Sequence, residues 1–361
     1  MELQPLRLGA AYHGNRMPHH AREDLLDMAT HGMDLVVHML SHTDWNRHLN
    51  VMKDIVSMSI DAGLEPWMDN WGLAGHPGDT SFFLAMHPES HMYYSNGQME
   101  PVRPCLYSPE FRKFTKEWID AVYFTGARTI FWDEPCAPLM DKEGRNVGGL
   151  NPNEKVYHSC ACPRCRKLFE EQYGRPMPEF ADKDTADFAA AAVVDYFREM
   201  TEYSASKGMK NVVCVMLGTY GMNLDSIDLL GQLPHMDNIG SDPYWVGAKQ
   251  ANPALNVYEY VYKGTKANLR VSEELHKGHN IWLQTYANPR GLEEDIVVAA
   301  EAAYDAGART IIAWGYYGSE SNNYAAKNPA VTWSKTCEAM HRVRTMERDR
   351  ILAENRKLYM K

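Results

Sequence analysis

Short apolar runs rich in β-branched residues alternate along this chain with longer stretches of mixed polarity. Arg7-Leu8-Gly9-Ala10-Ala11-Tyr12 predicts a first strand, followed by a polar loop containing His13, Asn15, Arg16, His19 and His20. A helical stretch from Arg22 stops at Gly32, and Asp34 to Leu40 reads as a second strand. The loop Ser41 to Trp45 leads into a helix over Asn50 to Asp61, and Gly63 to Asp69 reads as a third strand. A loop rich in Trp, Gly and His follows it.

A helix-like run from Phe111 to Tyr123 stops at Gly126, and Thr129-Ile130-Phe131-Trp132 forms a short buried fourth strand. Helical runs from Arg166 to Gly174 and from Ala186 to Lys207 precede a fifth strand, Asn211 to Gly218. Asp237 to Asp242 is a short sixth strand and Asn280 to Tyr286 a seventh. A helix over Glu293 to Ala306 leads to an eighth, Arg309 to Gly315. One internal echo supports the count: Thr125-Gly126-Ala127-Arg128-Thr129-Ile130-Phe131-Trp132 returns as Ala306-Gly307-Ala308-Arg309-Thr310-Ile311-Ile312-Ala313-Trp314. Both read as a helix stop, a tight turn and a buried strand. About eight such alternations without a Gly-rich phosphate fingerprint predict a closed (β/α)8 TIM barrel, a single domain over residues 1–361. The charged, helix-prone run over residues 335–361 is expected to close the barrel before a solvated tail.

The fourth strand ends in two adjacent carboxylates, Asp133 and Glu134, and Pro135 forbids its continuation as a central strand. In a parallel barrel, acids at strand C-termini lie on the catalytic face. A helix N-cap is the plainer role for Asp133. Asp242 ends the sixth strand in the same way, with a hydroxyl acceptor or a cap before Pro243 as its alternatives.

Composition narrows the field. With 361 residues, 45% of them hydrophobic, the chain can bury a large core. No apolar run reaches the length of a membrane span, and Met1-Glu2-Leu3-Gln4-Pro5 does not read as a signal peptide, so a cytoplasmic location is expected. A formal charge of −10 argues against nucleic acid or an anionic membrane as the main partner. The rings of Trp71, Tyr244, Trp245, Tyr286, Trp314 and Tyr316 fall at or just beyond predicted strand ends, as a pocket stacking flat, partly apolar ligands requires. Trp132 and Trp314 serve equally well as barrel core. His13, in the first loop, and Asp69, ending the third strand, are further contact candidates.

Of seven cysteines, four lie between Cys136 and Cys165, which suits a metal better than cytosolic disulfides. Cys160-Ala161-Cys162-Pro163-Arg164-Cys165 forms a knuckle suited to tetrahedral zinc, with Cys105, Cys136 or His158 as fourth ligand. With no open position, such a zinc is structural.

Cys105-Leu106-Tyr107-Ser108-Pro109-Glu110-Phe111-Arg112, then Asp133-Glu134, then the cysteine knuckle with Phe169, Tyr173 and Gly174, occur in that order. This arrangement resembles the zinc-containing β-galactosidases of glycoside hydrolase family 42 over roughly residues 5 to 320. Ser241-Asp242-Pro243-Tyr244 is similar to that family's strand-six segment. The resemblance implies Glu134 as general acid/base and Cys105, Cys160, Cys162 and Cys165 as zinc ligands. Two departures stand out. Gln284 occupies the place of the family's nucleophilic glutamate, and the sequence ends before the family's further domains. The family's trimer is therefore not carried over, and a homo-oligomer stays open.

The expected function is a glycosidase acting on a small or terminal glycoside, with Glu134 and Asp242 as its carboxyl pair and inversion favoured by Gln284. One alternative is a retaining α-glycosidase-like layout with Asp133 as nucleophile and Asp242 as acid/base. Another is a non-catalytic carbohydrate-binding protein. Zinc-dependent methyl or acyl transfer would require an open metal site near the barrel mouth.

Overall fold

The computed structural model describes residues 5–13, 16–69, 81–147, 154–215 and 224–359. Eight parallel strands close into one barrel: β1 (Arg7–Tyr12), β2 (Leu35–Met39), β3 (Glu65–Asp69), β4 (Thr129–Asp133), β5 (Lys210–Cys214), β6 (Asn238–Ser241), β7 (Gly278–Gln284) and β8 (Thr310–Trp314). Their spatial order follows the chain, with β8 pairing back onto β1. All eight sequence-predicted strands are present, the first with the expected bounds and the others with ends shifted by one to a few residues. The expected end of the fifth, Met216 to Gly218, lies outside the described residues, as does Trp71.

Alternation along the strands separates two apolar layers. Val37, Trp67, Phe131, Val212, Trp282 and Ile312 fill the barrel interior, with Tyr244 and Trp314 packed on them. Ile130, Trp132, Val213 and Ile311 point the other way, into the layer shared with the helices. The Trp132 ring meets Trp118 and Phe197 there, and its Nε1 donates to Asn211 Oδ1 at 3.0 Å. Core packing is therefore the role of Trp132. The repeated helix stops are physical as well as textual. Gly126 (φ 99°) and Gly307 (φ 111°) both cap their helices in the left-handed conformation that glycine adopts without a Cβ clash.

Register aligns the strand ends. Tyr12 pairs with His38, Met39 with Asp69, Asp133 with Cys214, and Gln284 with Trp314. These residues form one rim.

Several features depart from the sequence reading, and the helices Pro18–Thr30 and His42–Asp61 begin early enough to take in His19, His20 and most of the expected loop Ser41 to Trp45. The helix Val257–Glu274 between β6 and β7 was not anticipated, and the C-terminal helix is one element, Pro329–Tyr359, starting before Lys335. Two excursions leave the rim, one after β3 with the antiparallel pair His91–Tyr93 and Met99–Pro104, the other after β4 with Leu139–Met140 and Asn146–Val147. Among the described residues, no helix is long and apolar enough to cross a membrane.

Candidate active site

The rim gathers acids. Asp69 ends β3, Asp133 ends β4 with Glu134 beside it, and Asp242 follows β6. On an extended strand Asp133 and Glu134 would face opposite sides. The chain avoids this by breaking at Glu134, whose φ is 39° and whose N–H donates to Cys214 O at 3.1 Å. A left-handed glutamate immediately before a proline is strained, at a cost of about 1–3 kcal/mol.

Glu134 and Asp242 hydrogen-bond to each other through their side chains. Burial drives the pKa of both upward, Asp242 to about 7 and Glu134 well above the ordinary carboxyl range, where the charge of Asp242 adds to the effect. Two buried carboxyls that share a hydrogen bond hold a proton between them, so the pair carries less than two negative charges at neutral pH. Asp133 is raised as well, by burial first and then by the charge of Glu134. Arg103 is a buried cation that opposes this crowding, and its charge lowers the Glu134 pKa. It comes from the excursion after β3, where its Nη1 lies 3.6 Å from Glu100 Oε2.

A carboxyl whose folded pKa is raised binds protons more tightly in the native state, so stability declines as pH climbs from the unfolded to the folded value. For Asp242 that interval runs from about 4 to about 7. Asp242→Asn is expected to raise the melting temperature relative to the unmodified protein at pH 8 and to lose that advantage near pH 4. Thermal unfolding at both pH values checks this, and an equal difference at both contradicts it.

Among the other rim candidates, Tyr244 packs edge-on against Tyr286 at 5.3 Å, and burial followed by the charge of Asp242 pushes its phenol well up. His13 meets Trp314 edge-on at 5.0 Å, and burial lowers its pKa to about 4. A Cβ on Gly315 would come within 2.8 Å of the His13 ring, so glycine there makes room for the imidazole. Gln284 is buried with Oε1 accepting from Val246 N at 3.0 Å, which ties the strand-seven amide to the turn after β6. Trp245 is 1% exposed in the outer core, so it supports the site from behind and does not line it. Tyr316 sits further out, its hydroxyl between Asp24 and Asp27. Arg103 and Cys214 are rim residues that sequence reading missed. An alternating strand ending before Pro104 was the one available signal for Arg103.

The cysteines assemble on the excursions. The sulfurs of Cys105, Cys160, Cys162 and Cys165 all lie within 4.8 Å of one another, with Cys105 at 3.5 Å from Cys165 and 3.7 Å from Cys162. Zinc–sulfur bonds of about 2.3 Å place tetrahedral sulfurs about 3.8 Å apart, so the four thiols fit this metal. Cys162 caps the helix Pro163–Tyr173 and Cys165 lies in its first turn, where the helix dipole favours thiolates. Of the other two ligand candidates, His158 has Nε2 engaged with Pro178 O at 2.9 Å, and Cys136 hydrogen-bonds to Arg103 beside Glu134. Neither joins the cluster. Ala161 N donates to Tyr93 O at 2.7 Å and Arg166 to Ser95 O at 2.9 Å, so the knuckle binds the two excursions together.

No protein-family model matches the chain, and no curated protein sequence matches it either. Solved structures do. The catalytic domain of β-amylase from Paenibacillus polymyxa superposes with a TM-score of 0.63 at 8% identity, over 93% of this chain and 99% of that one. β-Galactosidase from the psychrophilic Marinomonas ef1 gives 0.67 at 11%, over 97% of this chain, which spans 60% of that enzyme. A D-psicose 3-epimerase from Clostridium cellulolyticum gives 0.50 at 10%, over 94% of this chain and 99% of that one. At such identities the likeness establishes the barrel. Hydrolases and an isomerase share it, so function is argued from the rim.

Proposed function

We propose that this protein is a glycoside hydrolase in which Glu134 is the general acid and Asp242 its basic partner. The observation that carries the reading is the buried, hydrogen-bonded carboxyl pair of Glu134 and Asp242, both raised in pKa, on the C-terminal rim of a closed barrel. Glycoside cleavage needs two states at one pH: an acid to protonate the leaving oxygen, and a carboxylate to attack or to activate water. Tyr244, Tyr286 and Trp314 supply ring faces for the apolar side of a sugar, and Asp69 and Asp133 supply hydroxyl acceptors. The crowding of carboxyls on this rim disfavours an anionic ligand.

In the free protein the two carboxyls touch, closer than the roughly 5–5.5 Å of retaining pairs or 6.5–9.5 Å of inverting ones. A glycosidic oxygen entering between them takes the proton of Glu134 and releases Asp242 to hold water. The amide of Gln284 cannot serve as a nucleophile, which favours direct attack by that water. Zinc, held by Cys105, Cys160, Cys162 and Cys165, would cross-link the two excursions, the first of which carries Arg103. With all four thiolates bound to it, zinc would have no open position for methyl or acyl transfer.

Incubation with a panel of neutral aryl glycosides, followed by NMR of the first-formed sugar, tests the reading. The expected product has the inverted anomeric configuration. First release of the retained anomer would transfer the attacking role to Asp133 and the acid/base role to Asp242. Saturable binding of a glycoside with no turnover would support the carbohydrate-binding alternative.

A further inference from the structure

A cavity of about 490 Å³ opens beside the rim, between the end of β1, the helix Pro18–Thr30 and the turn Tyr316–Ser319. Its volume falls within the roughly 300–1,000 Å³ of small-molecule sites. Tyr12, Tyr316 and Tyr317 give it aromatic walls, and Asp24 and Glu320 give it carboxylates. The acid on the helix is held in place: the hydroxyl of Tyr12 donates to Asp24 Oδ2 at 2.6 Å and that of Tyr316 to Oδ1 at 3.1 Å. Tyr317 has a φ of 49°, a left-handed conformation costly for an aromatic residue and found preferentially where function demands it.

One imidazole separates this cavity from the barrel mouth. His13 lines the cavity and packs edge-on against Trp314, which belongs to the interior cluster. With its pKa lowered to about 4 by burial, the ring is neutral at ordinary pH and adds no positive charge to the wall. The strand order fixes direction. β8 lies directly across the barrel from β4, which carries Glu134, and two strands from β6, which precedes Asp242. Strand spacing of about 4.8 Å puts the cavity edge about 10 Å around the rim from Asp242, the reach of one further linked sugar ring. Because the leaving group must lie against the acid Glu134, the cavity faces the opposite, non-leaving end of the substrate.

We propose that the cavity between β1 and β8 seats a second, neutral sugar unit on the non-leaving side, so that the preferred glycone is a disaccharide. This extends the glycosidase reading of the rim and rests on it. Tyr317 offers a ring to the apolar face of the sugar, Glu320 and Asp24 accept from its hydroxyls, and the same carboxylates repel uronic or sulfated units. Binding energy from this remote ring is then available to raise the specificity constant.

The test compares an aryl monosaccharide glycoside with the aryl disaccharide glycoside bearing the same leaving group. The disaccharide is expected to have a kcat/KM higher by about tenfold or more. Glu320→Lys, at an exposed position, and Tyr317→Asn, which tolerates the left-handed backbone, should each remove most of that gain. Both should leave the monosaccharide glycoside within about twofold of the unmodified protein. Equal values for the two substrates, or equal losses on both in the variants, would overturn the proposal. If the unmodified protein hydrolyses neither, saturation-transfer NMR with the disaccharide decides. Contacts to its outer ring that vanish in both variants uphold the cavity while the hydrolase reading falls, and no contact to that ring refutes the cavity.

Discussion

Glu134→Gln should reduce turnover on the best glycoside by on the order of 10² or more while leaving the protein folded. The amide keeps the size of the side chain and can still donate to Asp242, but it has no proton to give to a leaving oxygen. Two further readouts separate lost acid catalysis from distortion. The pH dependence of kcat/KM reports the ionisations of the free enzyme. In the unmodified protein it should fall below the Asp242 pKa of about 7 and again at the higher pH where Glu134 loses its proton. The variant should lack the alkaline limb. Substrates whose leaving groups need no protonation should also lose much less than ordinary ones. A variant with near-normal rates on unactivated glycosides would move the acid role to Asp133 or Asp242, each raised in pKa at the same rim.

The second large effect concerns the thiols. Purified protein is expected to carry about one equivalent of zinc, and Cys162→Ser to lose both the metal and upwards of about 4 kcal/mol of stability, which is exceptional for one substitution. The size follows from coupling. The cluster joins segments 57 residues apart at Cys105 and Cys162, and metal binding that holds such segments together counts as folding free energy. Cys136→Ser is the control, because that thiol lies against Arg103 and not among the four sulfurs. It should retain the metal. Elemental analysis with thermal unfolding checks both variants, and zinc below about a tenth of an equivalent in carefully purified protein would defeat the expectation.

Much of the barrel was legible because its strands are short β-branched runs ended by punctuation the backbone obeys. Gly126 and Gly307 stop helices in the conformation their residue type suggests, and Pro135 and Pro243 follow the two acid-bearing ends. The helix Val257–Glu274 escaped because its buried face includes Thr265, Asn268 and Ser272 among Val257, Val261 and Leu269. Polar side chains at core positions blur the period that sequence reading depends on. Trp245 was expected at the rim, but the turn after Pro243 sends its ring into the outer core. The direct contact of Glu134 with Asp242 depends on strand register and on the left-handed turn at Glu134, and neither is encoded locally. Arg103 was hidden for a related reason: its burial arises only when the excursions pack against the rim.

The backbone at Glu134 also bears on how this protein would change under selection. Glycine or asparagine accepts a φ of 39° more readily than glutamate does. Neither would place a glutamate carboxyl against Asp242. On the proposed assignment of Glu134 as the acid, a population screened only for heat tolerance has a downhill route at this codon that ends in robust, inert proteins. Lineages kept under selection for turnover would then have to retain the strained residue and gather their stabilising changes elsewhere, among surface and helix positions far from the rim.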